Sequence, residues 1–200
     1  QSLLVEMQLC RSEAFLKFAF PHLKKMFQGS GVAWNEENFK NLYHQVQPGF
    51  IRVDADEVTY PAHVILRYKM ERALIEGRME VEDIPSTWNE LMQQYLGITP
   101  PSDRDGCLQD IHWYDGAWGY FPTYTLGAMS AAQIFASLSD QLADVENQIR
   151  NGHFKGIMEW LSNNIHSKGS FLSAQDLMTE ATGKKLDPQV FLTHLRNRYC

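Results

Sequence analysis

Apolar residues recur every three or four positions through most of the chain, which is the pattern of helices that bury one face. The most regular stripe consists of Ile134, Leu138, Leu142, Val145 and Ile149. We predict one long helix here, from about Thr125 to Arg150, with Gly152 as its stop.

The first hundred residues show the same periodicity in shorter segments that glycine and proline separate. A helix is predicted over much of residues 1–27, and Pro21 should kink or divide it because proline lacks the amide proton of a helix interior. The other helices predicted in this part run from the N-cap Asn35 to about Val46, from about Tyr60 to Gly77, and from about Thr87 to Tyr95.

The last fifty residues are predicted to form three helices, because helix start and stop signals recur within them. Ser173 begins a capping-box pattern that ends at Asp176. Gly183 suits the position after a helix end, and Asp187 followed by proline suits a helix start.

Two segments depart from the helical pattern. Residues 50–53, Phe-Ile-Arg-Val, favour a short strand, and residues 97–123 have no steady period. The irregular segment is too aromatic to be disordered, and a long loop of this kind is usually functional. The predicted fold class is therefore mainly α with many helices and at most one short β element, in a single domain over residues 1–200 or one domain with two lobes.

Composition excludes several function classes. The chain has 200 residues, of which 44% are hydrophobic and 21% charged, so a disordered chain is not expected. A net charge of −6 argues against nucleic-acid partners, and the lack of an 18-residue apolar run argues against a membrane span. Three cysteines without a CxxC pair favour a reducing compartment, which predicts a cytoplasmic location.

Arg52 is the first candidate for binding chemistry. It lies among apolar neighbours in the segment that favours a strand, and Asp54, Asp56 and Glu57 follow it. The acidic residues have a structural explanation, since carboxylates stabilise the start of a helix. Arg52 has no such explanation, and we expect it to need a carboxylate partner or a ligand.

The second candidate is the segment of residues 106–124, GCLQDIHWYDGAWGYFPTY. His112, Tyr120 and Tyr124 could donate hydrogen bonds to a developing oxyanion. The same residue types also occur in cores whose tyrosine and tryptophan groups are hydrogen-bonded. Composition alone does not decide between a site and a core. The seven histidines of the chain include no HExxH motif and no pair four residues apart, so no metal-ligating residue is predicted.

Two motifs resemble those of the carboxypeptidase Taq family of metallopeptidases. Residues 51–56, IRVDAD, match its Ile-Arg-x-x-Ala-Asp motif, and residues 106–113, GCLQDIHW, match its Gly-x-x-Gln-Asp-x-His-Trp motif. Both agree at every fixed position and occur in the family's order. The flanking sequences also resemble the family, so the similarity covers essentially the whole chain.

The resemblance implies a helical zincin-type peptidase lobe that acts on peptide substrates. It implies that Arg52 binds the C-terminal carboxylate of the peptide and that His112, with Tyr120 or Tyr124, contacts the oxyanion and the peptide backbone. Asp110 and Gln109 are expected on the substrate-binding side, and Asp110 could also hold His112 in one tautomer.

The resemblance also implies a divalent metal, zinc or alternatively cobalt, whose HExxH ligands and third glutamate ligand would precede Gln1. We therefore expect the C-terminal portion of a larger enzyme, which binds no metal, is inactive alone and has the N-terminal half as its partner. A homodimer is the expected form of the whole enzyme. The alternatives are a non-catalytic helical interaction domain and an inactive paralogue.

Overall fold

The computed structural model describes all 200 residues, and they form helices without any β-strand. The mainly α fold class is thereby confirmed. A π-helix at Leu4–Leu9 comes first, and 3₁₀ turns occupy Arg52–Asp54, Val81–Asp83 and His166–Lys168. The α-helices are α1 (Glu13–Met26), α2 (Glu36–Tyr43), α3 (Tyr60–Ile75), α4 (Ile84–Leu96), α5 (Pro122–Gln141), α6 (Val145–Arg150), α7 (Lys155–Asn164), α8 (Ala174–Thr182) and α9 (Pro188–Tyr199).

The strand predicted for residues 50–53 is wrong. The backbone turns at Arg52–Asp54, where the amide of Ala55 donates to the carbonyl of Arg52 over 3.1 Å. A side chain forms the hydrogen bonds with this backbone that a neighbouring strand would otherwise have formed. Gln109 accepts a hydrogen bond from the Arg52 amide and donates one to the Phe50 carbonyl.

The chain divides into two compact units. Unit 2 comprises residues 46–126, and unit 1 comprises residues 1–45 together with 127–200. The assignment of residues 1–200 to a single domain stays a prediction.

Unit 2 is built on the packing of α3 against α4. Its buried core consists of Leu66, Met70, Trp88, Met92, Leu96 and Cys107. Pro61 lies in the first turn of α3, where its missing amide proton costs nothing. No helix lies between Leu96 and Pro122, so the irregular segment predicted for residues 97–123 is confirmed.

Unit 1 has its own core, to which the π-helix and α1, α5, α6, α7 and α8 contribute. Three predicted caps are confirmed here. Asn35 accepts a hydrogen bond from the amide of Asn38, Ser173 from that of Asp176, and Asp187 from that of Gln189.

Two predicted helices of unit 1 are divided differently. The long helix over residues 125–150 is wrong, because α5 ends at Gln141 and α6 begins at Val145. Asp144 has a φ of 54°, a left-handed backbone that cannot continue a right-handed helix. In the first segment, the break precedes Ser12, whose side chain caps α1, and α1 then runs through Pro21.

One buried glutamine organises the turn between α8 and α9. The side-chain nitrogen of Gln133 donates to the Thr182 hydroxyl and to the carbonyls of Lys184 and Lys185 over 2.8–3.2 Å. Its side-chain oxygen accepts from the amide of Asp187 over 2.8 Å. The amide thus satisfies backbone groups of a turn that has no secondary structure to pair them.

None of the helices combines the length and the apolar character needed to cross a bilayer. All three cysteines are free thiols.

Candidate active site

The centre of the candidate site is an ion pair between Arg52 and Asp110, both in unit 2. The Arg52 Nε and Nη2 atoms donate to the two carboxylate oxygens of Asp110 over 3.2 and 2.9 Å. Nη1 donates to the Tyr60 hydroxyl over 2.7 Å. The carboxylate partner expected for Arg52 is therefore Asp110, and the fork geometry fixes the plane of the guanidinium. Three of the five N–H groups of the guanidinium are used, which leaves two for another acceptor.

Gln109 joins the two segments that carry this pair. Its side-chain oxygen accepts from the Arg52 amide over 2.8 Å, and its side-chain nitrogen donates to the carbonyls of Phe50, Asp105 and Gly106 over 2.9–3.1 Å. Both ends of the amide are engaged. Gln109 thus holds the backbone of the two segments together, and its expected contact with substrate stays a prediction.

A second arginine shares the carboxylate of Asp110. The Nη2 atom of Arg67, on α3, lies 2.6 Å from Asp110 Oδ2. The guanidinium carbon of Arg67 lies 4.7, 5.2 and 4.5 Å from the rings of Trp88, Trp113 and Phe121. Aromatic faces attract a cation, so these rings help to stabilise the charge of Arg67, a residue of which only 1% of the surface is exposed.

The charges of this cluster shift the pKa values of its members. Burial would raise the pKa of Asp110, but the hydrogen bond from Arg52 and the charge of Arg67 hold it below its usual value. Burial lowers the pKa of Arg67 to about 10, so this side chain is still charged at neutral pH. Two arginines share the carboxylate of Asp110, and the carboxylate of Glu71 also acts on Arg67.

His112 and Tyr124 form the second part of the site. The His112 Nε2 atom and the Tyr124 hydroxyl are 3.0 Å apart, and the Tyr124 ring lies 5.1 Å from the guanidinium carbon of Arg52. The Tyr120 ring stacks on His112 at 5.9 Å, and Tyr120 is 49% exposed. The structure thus brings together the three candidate side chains of residues 106–124 beside Arg52, with Tyr120 on the exposed side.

The bond expected between Asp110 and His112 is not formed. Both oxygens of Asp110 face the arginines, and the Nδ1 atom of His112 is buried without a hydrogen-bond partner. Burial and the positive charges of Arg52 and Arg67 lower the pKa of His112 from its usual value, although Asp110 opposes the shift. His112 is therefore a neutral imidazole at pH 7.

Three side chains of α3 that the sequence patterns did not identify border the site: His63, Arg67 and Glu71. They are spaced four residues apart, so they lie on one face of the helix, and all three are buried. Burial and the charge of Arg52 lower the pKa of His63 to about 4. The sequence does contain a signal for them, because three ionisable residues recur every four positions beside the apolar stripe of α3.

The structure contains no group of three or more His, Cys, Asp or Glu side chains that could hold a metal ion. The residues of the candidate site do not fit a metal centre either, because two arginines occupy the carboxylate of Asp110, and Glu71 accepts from Trp113 and Gly119.

The comparisons with known proteins agree with the motifs. Residues 1–199 match the family model described as carboxypeptidase Taq (M32) metallopeptidase. Carboxypeptidase 1 of Bacillus subtilis is 39% identical over 202 residues, which are 100% of this chain and 40% of that protein. Thermostable carboxypeptidase 1 of Thermus thermophilus is 37% identical over 95% of this chain and 37% of its own length.

The solved structure of Trypanosoma cruzi metallocarboxypeptidase 1 superposes with a TM-score of 0.95 and 44% identity. The match covers 100% of this chain and 42% of that one. The chain thus spans about 40% of the length of the relatives that it matches. Since the family model covers nearly every residue, the chain belongs to the carboxypeptidase Taq family of metallopeptidases.

Proposed function

We propose that this chain supplies the substrate-contacting side of a metal-dependent carboxypeptidase, which removes residues from the C-termini of peptides. The observation that carries the proposal is the convergence of Arg52, Tyr124 and His112 in one cluster, with two N–H groups of Arg52 unused.

Arg52 is proposed to bind the C-terminal carboxylate of the peptide. An exopeptidase must recognise a free carboxylate, and a guanidinium offers two parallel donors that match this planar group. Asp110 neutralises only one of the two arginines that contact it. The two N–H groups of Arg52 that remain unused favour an anionic ligand at this position.

His112, Tyr120 and Tyr124 are proposed to contact the scissile peptide bond. The Tyr124 hydroxyl is engaged with His112, whereas the Tyr120 side chain is half exposed. Donors of this kind stabilise the oxygen that gains negative charge during hydrolysis. Because His112 is neutral, it would act through an N–H group and its hydrogen bond to Tyr124.

The other parts of the enzyme are proposed to lie outside these 200 residues. The divalent metal, zinc or cobalt, would be held by residues of the N-terminal half. The isolated chain is then expected to be inactive. The homodimeric form and the cytoplasmic location also stay predictions.

The test is the preference of the full-length enzyme for a free C-terminus. Arg52→Ala should raise KM for free-acid peptides by about 10- to 100-fold, since a hydrogen bond to a charged group contributes roughly 1.5–3 kcal/mol. Amidation of the peptide C-terminus should weaken binding to the wild type far more than to the variant.

Arg72→Ala is the matched control, because Arg72 is an exposed arginine of α3 that bonds only to the nearby Glu76 and Tyr68. It should keep the wild-type sensitivity to amidation. If Arg52→Ala is also as sensitive to amidation as the wild type, Arg52 does not bind the substrate carboxylate.

A further inference from the structure

Two buried charges of α3 hold the loop that carries His112. Arg67 and Glu71 are one helical turn apart, and 1% and 6% of their surfaces are exposed. Charged side chains are rarely buried to this extent unless they are paired. Both of them find their partners in the irregular segment that follows α4, and these partners lie on either side of His112.

Glu71 binds two points of this loop at once. One carboxylate oxygen accepts from the Trp113 side-chain nitrogen over 3.3 Å, and the other accepts from the backbone amide of Gly119. Trp113 also stacks on Trp118, with ring centres 5.7 Å apart and planes at 8°. Residues 113–119 are thus closed into a turn by one side chain from outside the loop.

Arg67 holds Asp110, which precedes His112 in the irregular segment. It pairs with Asp110, and its guanidinium also lies against the ring of Trp113. His112 lies between the residues held by the two charges, and its ring packs on Phe121 at 4.5 Å. The position of His112 therefore depends on the side chains of Arg67 and Glu71, which hold the residues before and after it against α3.

We infer that Glu71 and Arg67 are positioning residues, which hold residues 110–119 against α3 and so determine where His112 and Tyr120 lie relative to Arg52. The inference rests on the proposed function only for the roles of His112 and Tyr120. The hold itself can be measured on the chain without substrate or metal.

The decisive variant is Glu71→Gln, which keeps the size of the side chain but replaces one of its two acceptors with a donor. The Gly119 amide should exchange with solvent at least about tenfold faster, as expected for a lost hydrogen bond to a charged group. The pKa of His112, measured by NMR titration, should rise toward its usual value as the loop opens and the ring gains water.

The sign of this change separates loosening from direct electrostatics. Asp110 and Asp115 raise the pKa of His112, and Arg52 and Arg67 lower it. All four remain in the variant. Removal of a negative charge at Glu71 would by itself lower the pKa of His112, so a rise reports the change in burial.

Glu76→Gln is the control, since Glu76 is a glutamate of the same region that bonds only to Arg72 and Arg78. It should leave both measurements unchanged. If Glu71→Gln does not fold by circular dichroism, Trp113→Phe replaces it, because this variant removes the N–H donor to Glu71 and keeps a smaller aromatic ring beside Trp118 and Arg67. Wild-type values of the His112 pKa in the folded variant would overturn the inference, even if exchange at Gly119 were faster.

A kinetic measurement distinguishes this inference from the proposed function. In the full-length enzyme, Glu71→Gln should lower kcat and leave the KM difference between free-acid and amidated peptides intact, because Arg52 keeps its partners. If His112→Ala is fully active, the proposed function fails while the NMR result on positioning still stands.

Discussion

The carboxylate of Asp110 lies 2.6 Å from the Nη2 atom of Arg67, and 6% and 1% of the two side chains are exposed. Arg67 could not be buried as a cation without this partner, because an isolated charge in the interior costs several kcal/mol. Asp110 therefore serves two arginines, one inside the fold and one at the candidate site.

Asp110→Asn should destabilise the chain by about 3–5 kcal/mol, the usual loss when one partner of a buried ion pair is removed. The variant leaves Arg52 and Arg67 without a counter-ion. Urea unfolding at pH 7 measures the loss. Asp115→Asn, at an exposed position of the same loop, is the control and should change stability by less than about 0.5 kcal/mol. A loss of stability below about 1 kcal/mol for Asp110→Asn would contradict the claim that Asp110 is needed to compensate the buried charge of Arg67.

His63 should make stability depend on pH between 7 and 5. Its pKa is about 4 in the folded chain, against about 6.5 when unfolded, so the unfolded state binds a proton first as pH falls. The stability that neutral His63 allows is complete above pH 6.5 and is lost as pH falls toward 4. About 2 kcal/mol should disappear between pH 7 and pH 5.

His63→Leu is the variant that isolates this loss, because leucine cannot be protonated and is an apolar residue suited to a position that is 1% exposed. Its unfolding free energy should fall by about 2 kcal/mol less than that of the wild type over the same pH interval. Parallel pH profiles for the two proteins would show that His63 is protonated equally in both states.

Gly152→Ala should destabilise unit 1 by about 2–4 kcal/mol. Gly152 has a φ of +72°, and an added Cβ would lie 2.6 Å from the ring of Phe18. Backbone strain and overpacking therefore act together. Gly183→Ala is the matched control, with a φ of +78° and open space around its Cβ, and should cost only about 1 kcal/mol. If thermal unfolding shows equal losses of stability for the two variants, the contact with Phe18 does not contribute to the destabilisation.

Tyr120→Phe should reduce kcat of the full-length enzyme by about 100-fold, the usual effect of removing one donor to an oxyanion. Its half-exposed side chain makes it a better candidate for a direct contact than Tyr124, whose hydroxyl is engaged with His112. Tyr114→Phe, which is 70% exposed in the same loop, should retain full activity. If kcat instead depends on Tyr124 and not on Tyr120, the direct contact belongs to Tyr124.

Local signals predicted most of the helices because caps and periodicity act over a few residues. Asn35, Ser173 and Asp187 cap the helices that they were expected to begin. The break at Asp144 was missed because the apolar stripe continues across it, with Leu138 and Val145 both buried. An apolar stripe indicates which face of a helix is buried in the core, but it does not indicate where the helix is briefly interrupted.

The site was only partly predictable because its interactions connect distant positions. The motifs identified Arg52 and His112, but the partners of Asp110 are Arg52 and Arg67 of α3 and not the nearby His112. The segment of residues 50–53 was misassigned for a similar reason. Its apolar residues suit a strand, yet the groups that satisfy its backbone belong to Gln109, more than fifty positions later.

The amide of Gln109 gives the site a framework that does not titrate. Acid should protonate Asp110 and release both arginines, since a carboxylate holds them only while it is charged. The hydrogen bonds of Gln109 to Phe50, Arg52 and Gly106 involve neutral groups alone and are the same at every pH. Because the pKa of Asp110 lies below the usual value of an aspartate, only a strongly acidic solution would free the guanidinium of Arg52. The backbone of Arg52 would stay tethered by Gln109, and the charge network could reassemble on neutralisation without refolding of the turn.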